Sequence, residues 1–416
     1  MKIRGTITLP GDKSISHRAL LLAPFTRGNN IIHNISTGLD VESTRNCLIN
    51  CGIQSYKKNQ IVKIIGSELV KPYKPLNCGN SGTTARLISG LLAGQNISVK
   101  LIGDTSLSSR PMKRIIDPLK LMGAYIESIN FNLPLTISSS ELNGINYKIP
   151  IASAQIKSCL ILAGLGASSS SNFKEISSTR NHTEIMLQNM GAEISVNENS
   201  IQVNPIKKIL KNYDITIPGD PSSAAFFIGG ALITPNSKLI IKNVLLNPTR
   251  MGFINILKKM NAQIQITRQR VEFGELVGDI QASYSQLNSI DLHPEEIPSI
   301  IDELPIFALL ASQADGITRV TNANELRFKE SDRIKAICTN LTQIGVKAIE
   351  LKDGFIIEGP SYISGGKIKT FHDHRIAMTF ELAKLLTKEK IIIDNSNCIQ
   401  ISFPEFNITL DKIIQF

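Results

Sequence analysis

The sequence predicts an α/β protein made of two similar halves, each assembled from repeated helix-and-strand units. The first observation is a frame of Leu or Ile, then Pro, Gly, Asp, any residue and Ser, which begins at Leu9 and again at Ile217. The two copies start 208 residues apart, which is half of the 416-residue chain. A chain of this length also favours two domains over one.

A second observation is a shorter repeat inside these halves. Five segments combine the end of a helical run, a Gly or Asn, and a strand-like stretch. The turn residues are Gly52, Gly123, Gly191, Asn261 and Gly345, which are spaced 71, 68, 70 and 84 residues apart. Gly or Asn just past a helical run is typical of a left-handed helix end. Six units of about 70 residues would fill the chain.

A third observation concerns the helix starts, because each unit opens a helix behind a polar segment. The segments are 37–43, 108–114, 178–184, 247–253 and 327–333, and four of the five contain arginine. Helix N-termini present unpaired N–H groups and partial positive charge, so several that converge form an anion site.

Short strands such as 61–66, 98–103 and 238–244 complete α/β units whose sheets cover a helical core. We expect the linker between the halves near residues 213–220.

Composition narrows the classes of function. The net charge of +10 fits nucleic-acid binding, membrane-surface binding or a cleft for small anionic substrates. The absence of Trp, the 5% aromatic content and the lack of long basic runs argue against nucleic acid. No signal segment or apolar stretch of roughly 20 residues is present, so we expect a cytoplasmic protein. The six scattered cysteines are expected to be reduced core residues.

Eight motifs then occur together: DKSISHRA, GNSGTTAR, SRPMKRIIDPL, SAQIKS, STRNHTE, IDELP, KESDR and DHRIAM. Their order and spacing resemble those of the 5-enolpyruvylshikimate-3-phosphate (EPSP) synthase family over essentially the whole chain. The resemblance implies an α/β, two-domain inverse α/β barrel, with three copies of a βαβαββ unit in each domain and the active site in the interdomain cleft. Residues 13–219 would form the shikimate-phosphate-binding half. Residues 1–12 and 220–416 would form the half that carries the catalytic aspartate and the phosphoenolpyruvate-binding residues.

The resemblance also implies the reaction and its partners. The enolpyruvyl group of phosphoenolpyruvate would move to the 5-hydroxyl of shikimate 3-phosphate, releasing phosphate, in the biosynthesis of chorismate and aromatic amino acids. We expect a monomer that acts on these two small molecules without a metal, a cofactor, nucleic acid or a membrane.

The resemblance assigns site residues in three groups. The residues expected to bind shikimate 3-phosphate are Lys13, Ser14, Arg18, Ser153, Ala154, Gln155, Arg180, Asp302 and Lys329. Those expected to bind phosphoenolpyruvate are Lys13, Gly82, Arg110, Gln155, Arg333 and Arg375. The expected catalytic residues are Asp302, Lys13 and Glu330.

The residue types in the first half suit these assignments. In the first Pro-Gly-Asp frame, the ammonium of Lys13 and the planar guanidinium of Arg18 at the start of one helix suit the binding of two anions. The second frame keeps the residues that cap the helix but has neither charge. Gly82 lets the backbone approach an anion that a Cβ would obstruct. Many family members have a serine where this chain has Ala154, and Arg180 compensates for the missing hydroxyl in our interpretation.

In the second half, Asp302 would act as the general base for the 5-hydroxyl, because a base within hydrogen-bond reach must remove that proton. The neighbouring Glu295, Glu296 and Glu303 are expected to be solvated or capping. Lys329 and Arg333 lie four residues apart, a spacing that is repulsive on a helix and makes sense around an anion. His372 and His374 without further ligands are poor evidence for a metal site.

One departure from the family pattern concerns the C-terminal segment. Many members carry a lysine three residues before the Pro of an F-P-[DE] sequence, and this chain has Ile401 there. We therefore predict weaker binding of phosphoenolpyruvate than in lysine-bearing relatives.

Two alternative functions remain open from the sequence. The first is the enolpyruvyl transferase that uses UDP-N-acetylglucosamine, which depends on a cysteine in the loop that matches 103–113, where this chain has none. The second is a nucleic-acid or RNA-end-binding protein, whose binding would fall steeply with salt.

Overall fold

The computed structural model describes residues 1–415, in which the chain forms twenty-two strands and fourteen α-helices. The strands are β1 (Lys2–Thr8), β2 (Gly28–His33), β3 (Ser55–Lys58), β4 (Ile61–Gly66), β5 (Leu76–Asn77), β6 (Val99–Ile102), β7 (Tyr125–Ser128), β8 (Leu135–Ser138), β9 (Asn146–Lys148), β10 (Ser171–Lys174), β11 (Ile194–Asn197), β12 (Ser200–Val203), β13 (Asp214–Thr216), β14 (Lys238–Leu245), β15 (Gln263–Glu272), β16 (Glu275–Ser283), β17 (Gly316–Val320), β18 (Lys347–Leu351), β19 (Gly354–Gly359), β20 (Gly366–Ile368), β21 (Ile391–Ile393) and β22 (Ile414–Gln415).

The α-helices alternate with these strands. They are α1 (Lys13–Leu22), α2 (Leu39–Asn50), α3 (Gly82–Gly94), α4 (Thr105–Ser108), α5 (Lys113–Leu121), α6 (Ala154–Gly164), α7 (His182–Met190), α8 (Pro221–Ile233), α9 (Gly252–Lys259), α10 (Ile297–Ile300), α11 (Leu304–Ala311), α12 (Arg333–Gln343), α13 (His374–Ala383) and α14 (Phe406–Asp411). Short 3-10 turns lie at Ala23–Phe25, Pro248–Arg250, Asn324–Phe328, Lys384–Leu386 and Ser396–Ile401.

The chain divides into two compact units. The amino-terminal unit contains residues 10–217 and 272–275, and the carboxy-terminal unit contains residues 1–9, 218–271 and the chain from 276 onward. The short segment 272–275 belongs with the amino-terminal unit, where Glu275 Oε1 lies 2.7 Å from Nδ1 of His182.

The amino-terminal unit contains three four-stranded sheets with the same pairing scheme. Their strand orders are β13-β2-β4-β3, β5-β6-β8-β7 and β9-β10-β12-β11. In each sheet the first pair is parallel and the next two pairs are antiparallel. The second and third repeats run strand, helix, strand, helix, strand, strand along the chain, whereas the first repeat takes its parallel edge strand, β13, from the far end of the unit.

The carboxy-terminal unit repeats the scheme with variations. Strand β1 pairs in parallel with β14 in a five-stranded sheet of order β15-β16-β14-β1-β22. The second sheet has the order β17-β19-β18, and single parallel bridges at Asn288 and Asp291 stand where a fourth strand would lie. The last repeat is shortened, because after the parallel pair β20-β21 it ends in the single strand β22, which pairs with β1.

The predicted repeat of about 70 residues is confirmed by the backbone at its five turns. The five turn residues have left-handed φ angles, at Gly52 (90°), Gly123 (104°), Gly191 (89°), Asn261 (70°) and Gly345 (89°). Each follows a helix and precedes a strand, as the sequence predicts. A φ in this range strains residues that carry a Cβ, and Gly and Asn tolerate it best.

One helix of each repeat is buried almost all round, which explains its apolar sequence. In α8 the positions of Lys13, His17 and Arg18 are taken by Pro221, Ala225 and Phe226. Phe226 and Phe227 pack edge-to-face against Phe406 and Phe403, respectively. All six cysteines are buried and free, so the prediction of reduced core residues is confirmed. Within residues 1–415, no helix is both long and apolar enough to cross a membrane.

Candidate active site

The amino-terminal unit brings the starts of several helices together through polar side chains, beginning with α1. Asp12 caps this helix, because its Oδ1 accepts the N–H of Ile15 at 2.8 Å. Lys13 follows at the first helical position, and its Nζ donates to Oδ2 of Asp40 at 3.0 Å. Asp40 lies in the first turn of α2, so the predicted site lysine is held by a carboxylate that the sequence analysis did not select.

Arg18 is buried among hydroxyl groups. Its guanidinium donates to Ser14 Oγ at 2.6 Å, to Ser158 Oγ at 2.6 Å and to Thr183 Oγ1 at 2.7 Å. These hydroxyls belong to α1, α6 and α7, so one arginine joins three helices near their first turns. The structure therefore brings the predicted residues Ser14 and Arg18 into direct contact.

His17 begins a chain of hydrogen bonds through buried hydroxyl groups. Nδ1 of His17 lies 2.7 Å from Thr44 Oγ1, which lies 2.6 Å from Thr84 Oγ1, and Thr84 in turn donates to Ser81 Oγ at 2.8 Å. His17 is fully buried, and this burial, reinforced by the charges of Lys13 and Arg18, holds its pKa well below the ordinary value. The imidazole is therefore neutral near pH 7.

Gly82 begins α3 between two arginines. A Cβ added there would lie 2.9 Å from Nη1 of Arg86 and 3.5 Å from Nη1 of Arg110. Arg86 Nη1 donates to Gln155 Oε1 at 2.5 Å, and Arg110 Nη2 donates to Asn80 Oδ1 at 2.5 Å. The predicted residues Gly82 and Gln155 thus lie beside Arg86, a residue that the sequence did not single out for binding, and Arg110 also lies near Gly82.

Three predicted residues, Ser153, Ala154 and Gln155, lie at the start of α6. Ser153 caps this helix, its Oγ accepting the N–H of Ile156 at 3.5 Å, and Ala154 and Gln155 form the first turn. Gln155 Nε2 donates to Thr83 Oγ1 at 3.0 Å, which fixes the amide. Arg180 is half-buried, two residues before the start of α7.

A buried ion cluster supports the segment that carries Arg180. Lys157 Nζ lies 2.8 Å from Glu175 Oε2 and 2.8 Å from Glu184 Oε1, and it also donates to the backbone oxygen of Thr179 at 3.2 Å. The Thr179 hydroxyl donates to Glu175. The lysine side chain is 1% exposed, and both carboxylates are buried as well.

In the carboxy-terminal unit, Asp302 stands against three cationic side chains. Its Oδ1 lies 3.3 Å from Lys329 Nζ and 3.7 Å from Arg333 Nη1, and its backbone oxygen accepts Arg375 Nη1 at 2.8 Å. The Asp302 side chain is half-buried. The structure thus brings together four predicted residues that lie up to 73 positions apart in the chain.

Arg333 is held by carboxylates on two sides. Its Nε donates to Asp373 Oδ2 at 2.8 Å, and its Nη2 donates to Glu330 Oε2 at 2.6 Å. Burial works to lower the pKa of Arg333, but the charges of Asp373 and Glu330 outweigh burial and raise it. Burial alone would raise the pKa of Asp373, and Arg333 reverses that effect and lowers it. Nη1 of Arg333 has no hydrogen-bond acceptor among residues 1–415.

Two expectations for this unit are wrong. Glu303 is buried, so it is not solvated, and although it occupies the N-cap position of α11, its side chain makes no capping hydrogen bond there. It accepts the hydroxyl of Ser222 instead and lies 4.0 Å from Arg375 Nη1. Lys329 and Arg333 are not a pair on one helix, because α12 begins at Arg333 and Asp332 caps it. Their mutual repulsion is offset by Asp302, whose Oδ1 lies within 4 Å of both. In contrast, Glu295 is exposed, and Glu296 accepts the N–H of His293.

Ile401 and His372 lie in the carboxy-terminal unit as well. Ile401 is half-buried and packs against the apolar core of the carboxy-terminal unit, so the predicted loss of affinity for phosphoenolpyruvate stays a prediction. His372 is exposed, and its Nδ1 lies 3.1 Å from Nδ2 of Asn395. Among residues 1–415, no three His, Cys, Asp or Glu side chains are grouped so that they could hold a metal ion.

Sequence reasoning missed the residues that hold the cations in place. They are Asp40, Asn80, Ser158, Thr183, Glu303 and Asp373. Some left a signal in the sequence, since Thr183 is a polar residue in the first turn of α7 and Ser158 is a polar residue inside the apolar helix α6. A buried polar group needs a hydrogen-bond partner, which in this case is Arg18.

Comparison with known proteins places this arrangement in a family. The family model described as EPSP synthase (3-phosphoshikimate 1-carboxyvinyltransferase) matches residues 1–410. The chain belongs to the EPSP synthase family. A 3-phosphoshikimate 1-carboxyvinyltransferase of Oceanobacillus iheyensis is 44% identical over 419 residues, covering 99% of this chain and 97% of the relative. The enzyme of that name from Thermodesulfovibrio yellowstonii is 45% identical over 418 residues, with the same coverage.

Solved structures agree with the family assignment. The EPSP synthase of Acinetobacter baumannii superposes with a TM-score of 0.88 at 38% identity, covering 99% of this chain and 96% of that one. The enolpyruvyl transferase NikO from Streptomyces tendae, at 13% identity and a TM-score of 0.81, shares the fold. The chain is therefore a transferase with the two-domain α/β fold of EPSP synthases, as its motifs predict.

Proposed function

We propose that this protein transfers the enolpyruvyl group of phosphoenolpyruvate to the 5-hydroxyl of shikimate 3-phosphate, giving 5-enolpyruvylshikimate 3-phosphate and phosphate. This step belongs to the biosynthesis of chorismate and the aromatic amino acids. The observation that carries the proposal is Asp302, a carboxylate within 4 Å of Lys329 and Arg333, in a chain that matches the EPSP synthase family from residue 1 to 410.

We assign the shikimate 3-phosphate contacts mainly to the amino-terminal unit. Ser14, Arg18, Ser153, Gln155 and Arg180 supply hydroxyl, amide and guanidinium donors, and Ala154 supplies its backbone. Arg18 supports this role because three hydroxyls already fix its guanidinium, so little side-chain entropy is lost when an anion binds. Asp302 and Lys329 are assigned to the same substrate from the carboxy-terminal unit.

Phosphoenolpyruvate is assigned to cations of both units. Gly82 and Gln155 border the guanidinium of Arg86, and Arg110 lies beside Gly82. In the carboxy-terminal unit, Nη1 of Arg333 supports a carboxylate contact, because this donor has no acceptor among the described residues. Arg375 acts on the same anion. Lys13 serves both substrates.

The chemistry follows from the acids and bases of these clusters. Asp302 takes the 5-hydroxyl proton as that oxygen bonds to C2 of phosphoenolpyruvate, and Glu330 helps to protonate the methylene carbon. Lys13 and the arginines stabilise the charges of the tetrahedral intermediate. The C2–O bond to the phosphate group then breaks and phosphate leaves. A proton passes from the methyl group back to the carboxylate of Glu330, which restores the double bond. Fixing two reactants in line can contribute roughly 7 to 11 kcal/mol to such a step.

The setting of the reaction is also part of the proposal. We infer a cytoplasmic monomer whose partners are the two small substrates and which requires neither nucleic acid nor a metal cofactor. The reduced state of the six cysteines supports this compartment.

The test is the release of inorganic phosphate when both substrates are supplied together. We expect Asp302→Asn to slow this release by about 10² to 10⁴-fold, because a general base contributes that much, while shikimate 3-phosphate still binds. Asp411→Asn is the matched control, since Asp411 is an exposed carboxylate of the same unit. Undiminished release by Asp302→Asn would remove this residue from the mechanism.

A further inference from the structure

The second copy of the Pro-Gly-Asp frame leads to a polar network in the carboxy-terminal unit. Asp220 caps α8, its Oδ1 accepting the N–H of Ser222 at 2.7 Å. Arg250 reaches the same place from the turn Pro248–Arg250, donating to Ser222 Oγ at 2.8 Å and to Asp220 Oδ1 at 3.2 Å. In the first copy, Ser14 stands at the corresponding position and also accepts from an arginine. Both copies therefore use this serine to fix a guanidinium.

The direction of these hydrogen bonds is determined by the groups themselves. A guanidinium has N–H donors and no acceptor, so Ser222 Oγ must accept from Arg250. The single hydroxyl proton of Ser222 is then available for another acceptor, and it is donated to Oε1 of Glu303. Glu303 is buried at the start of α11, where Ser222 holds one of its oxygens.

Glu303 is adjacent in the chain to the proposed base and close to a proposed binding cation. Its Oε1 lies 4.0 Å from Arg375 Nη1, and the same nitrogen donates to the backbone oxygen of Asp302 at 2.8 Å. Arg375 is further tied to its own helix start, because its N–H donates to Asp373 Oδ1 at 2.9 Å. The guanidinium of Arg375 thus lies against a carboxylate and a carbonyl from the residues at the start of α11.

We propose that Glu303 is a positioning residue that holds the Arg375 guanidinium in its binding orientation, and that Ser222 and Arg250 hold Glu303. The inference rests on the proposed function, because Arg375 is the residue through which Glu303 acts. It gives the second copy of the frame a role in the reaction beyond capping α8. The proposed mechanism does not otherwise use Ser222, Arg250 or Glu303.

The experiment is a double-mutant cycle with phosphate release as the readout. We expect Glu303→Gln to raise the KM for phosphoenolpyruvate by about tenfold, because the negative charge 4.0 Å from the Arg375 guanidinium is lost, and to leave the dissociation constant of shikimate 3-phosphate unchanged. The same substitution is then made in the Arg375→Ala variant, where the release of phosphate is measured in single turnovers. There it should change phosphate release by less than about twofold, because the effects of residues that act as a unit are not additive.

A second set of variants covers the case in which Glu303→Gln does not fold. Ser222→Ala should raise the KM for phosphoenolpyruvate by about threefold, because the hydroxyl that holds Glu303 is lost. Ser222→Thr should keep the KM of the unsubstituted protein, because the hydroxyl is retained. Ser223→Ala is the control at the neighbouring position. An unchanged KM in Glu303→Gln or Ser222→Ala, or an equal loss in both backgrounds of the cycle, would overturn the inference. If the unsubstituted protein releases no phosphate from the two substrates, the proposed function fails instead.

Discussion

Gly82 shows how much one missing methyl group matters at the residue scale. A Cβ at this position would lie 2.9 Å from Arg86 Nη1, a distance that side chains essentially never tolerate, so the guanidinium would have to move. Arg86 holds Gln155 at 2.5 Å, and the displacement would reach that amide.

We therefore expect Gly82→Ala to raise the KM for phosphoenolpyruvate by about tenfold or more, since displacing one hydrogen-bonded charged group costs about 1.5 to 3 kcal/mol. Steady-state phosphate release measures this change. Gly191→Ala is unsuitable as a control because Gly191 has a left-handed backbone conformation. Ala93→Gly is a better control, because Ala93 lies on α3 with Gly82 but far from the site at the start of that helix, so the KM should not change. An unchanged KM in Gly82→Ala would show that the bound anion does not depend on Arg86.

The buried His17 makes stability depend on pH. Burial lowers its pKa in the folded state well below 6.5, the ordinary value. As pH falls through 6.5, the unfolded chain takes up the proton first, so the stabilisation is complete above pH 6.5 and is lost as pH falls towards the folded-state pKa. The slope due to this residue is up to about 1.4 kcal/mol per pH unit.

We predict that His17→Asn flattens the decline of the free energy of unfolding between neutral and mildly acidic pH. Urea denaturation at a series of pH values provides the measurement. Asp373, whose folded-state pKa is lowered by Arg333, causes a similar loss only near and below its ordinary value of 3.8, so the two effects occupy different pH windows. If the free energy of unfolding depends on pH equally steeply in the unsubstituted protein and in His17→Asn, the prediction for His17 is contradicted.

At the scale of elements, the ion cluster around Lys157 connects α6, the end of β10 and the first turn of α7. Removing the ammonium leaves the buried carboxylates of Glu175 and Glu184 uncompensated. We expect Lys157→Met to lower the free energy of unfolding by about 3 to 5 kcal/mol, because breaking a buried ion pair has that cost.

Urea denaturation of Lys157→Met can be compared with that of Lys113→Met. Lys113 pairs with Asp117 at 2.7 Å on the surface of α5, where the two side chains are 57% and 43% exposed. Its loss should cost less than about 1 kcal/mol. Similar losses for the two lysines would mean that the buried cluster adds no more stability than a surface pair.

Elements with strong local signals were predictable from the sequence. The five left-handed turns require Gly or Asn, and the polar segments before α2, α5, α7, α9 and α12 do lead into helices. Contacts between distant elements had no such signal. Nothing near Glu303 in the chain indicates Ser222, which lies 81 positions away, and an IDELP sequence read alone favours a solvated second carboxylate.

At the scale of the molecule, the duplication was visible in the two Pro-Gly-Asp frames, but the pairing of strands that are distant in the sequence was not. Strand β13 pairs with β2, and β1 pairs with β14, in each case across about half of the chain. The hydrophobic pattern of a strand of only a few residues does not show which other strand it pairs with. The second frame keeps the cap and loses the charges, and we propose that its Ser222 has a positioning role as well.

We propose that the cations around Arg18 and those around Asp302 serve one transfer of an enolpyruvyl group. The most direct test supplies shikimate 3-phosphate with phosphoenolpyruvate that carries ¹⁸O in the oxygen between carbon and phosphorus. Mass spectrometry then locates the label. Our account predicts that the label leaves with inorganic phosphate, because the C2–O bond breaks, and that no phosphate forms without shikimate 3-phosphate. Unlabelled phosphate, or release from phosphoenolpyruvate alone, would contradict it.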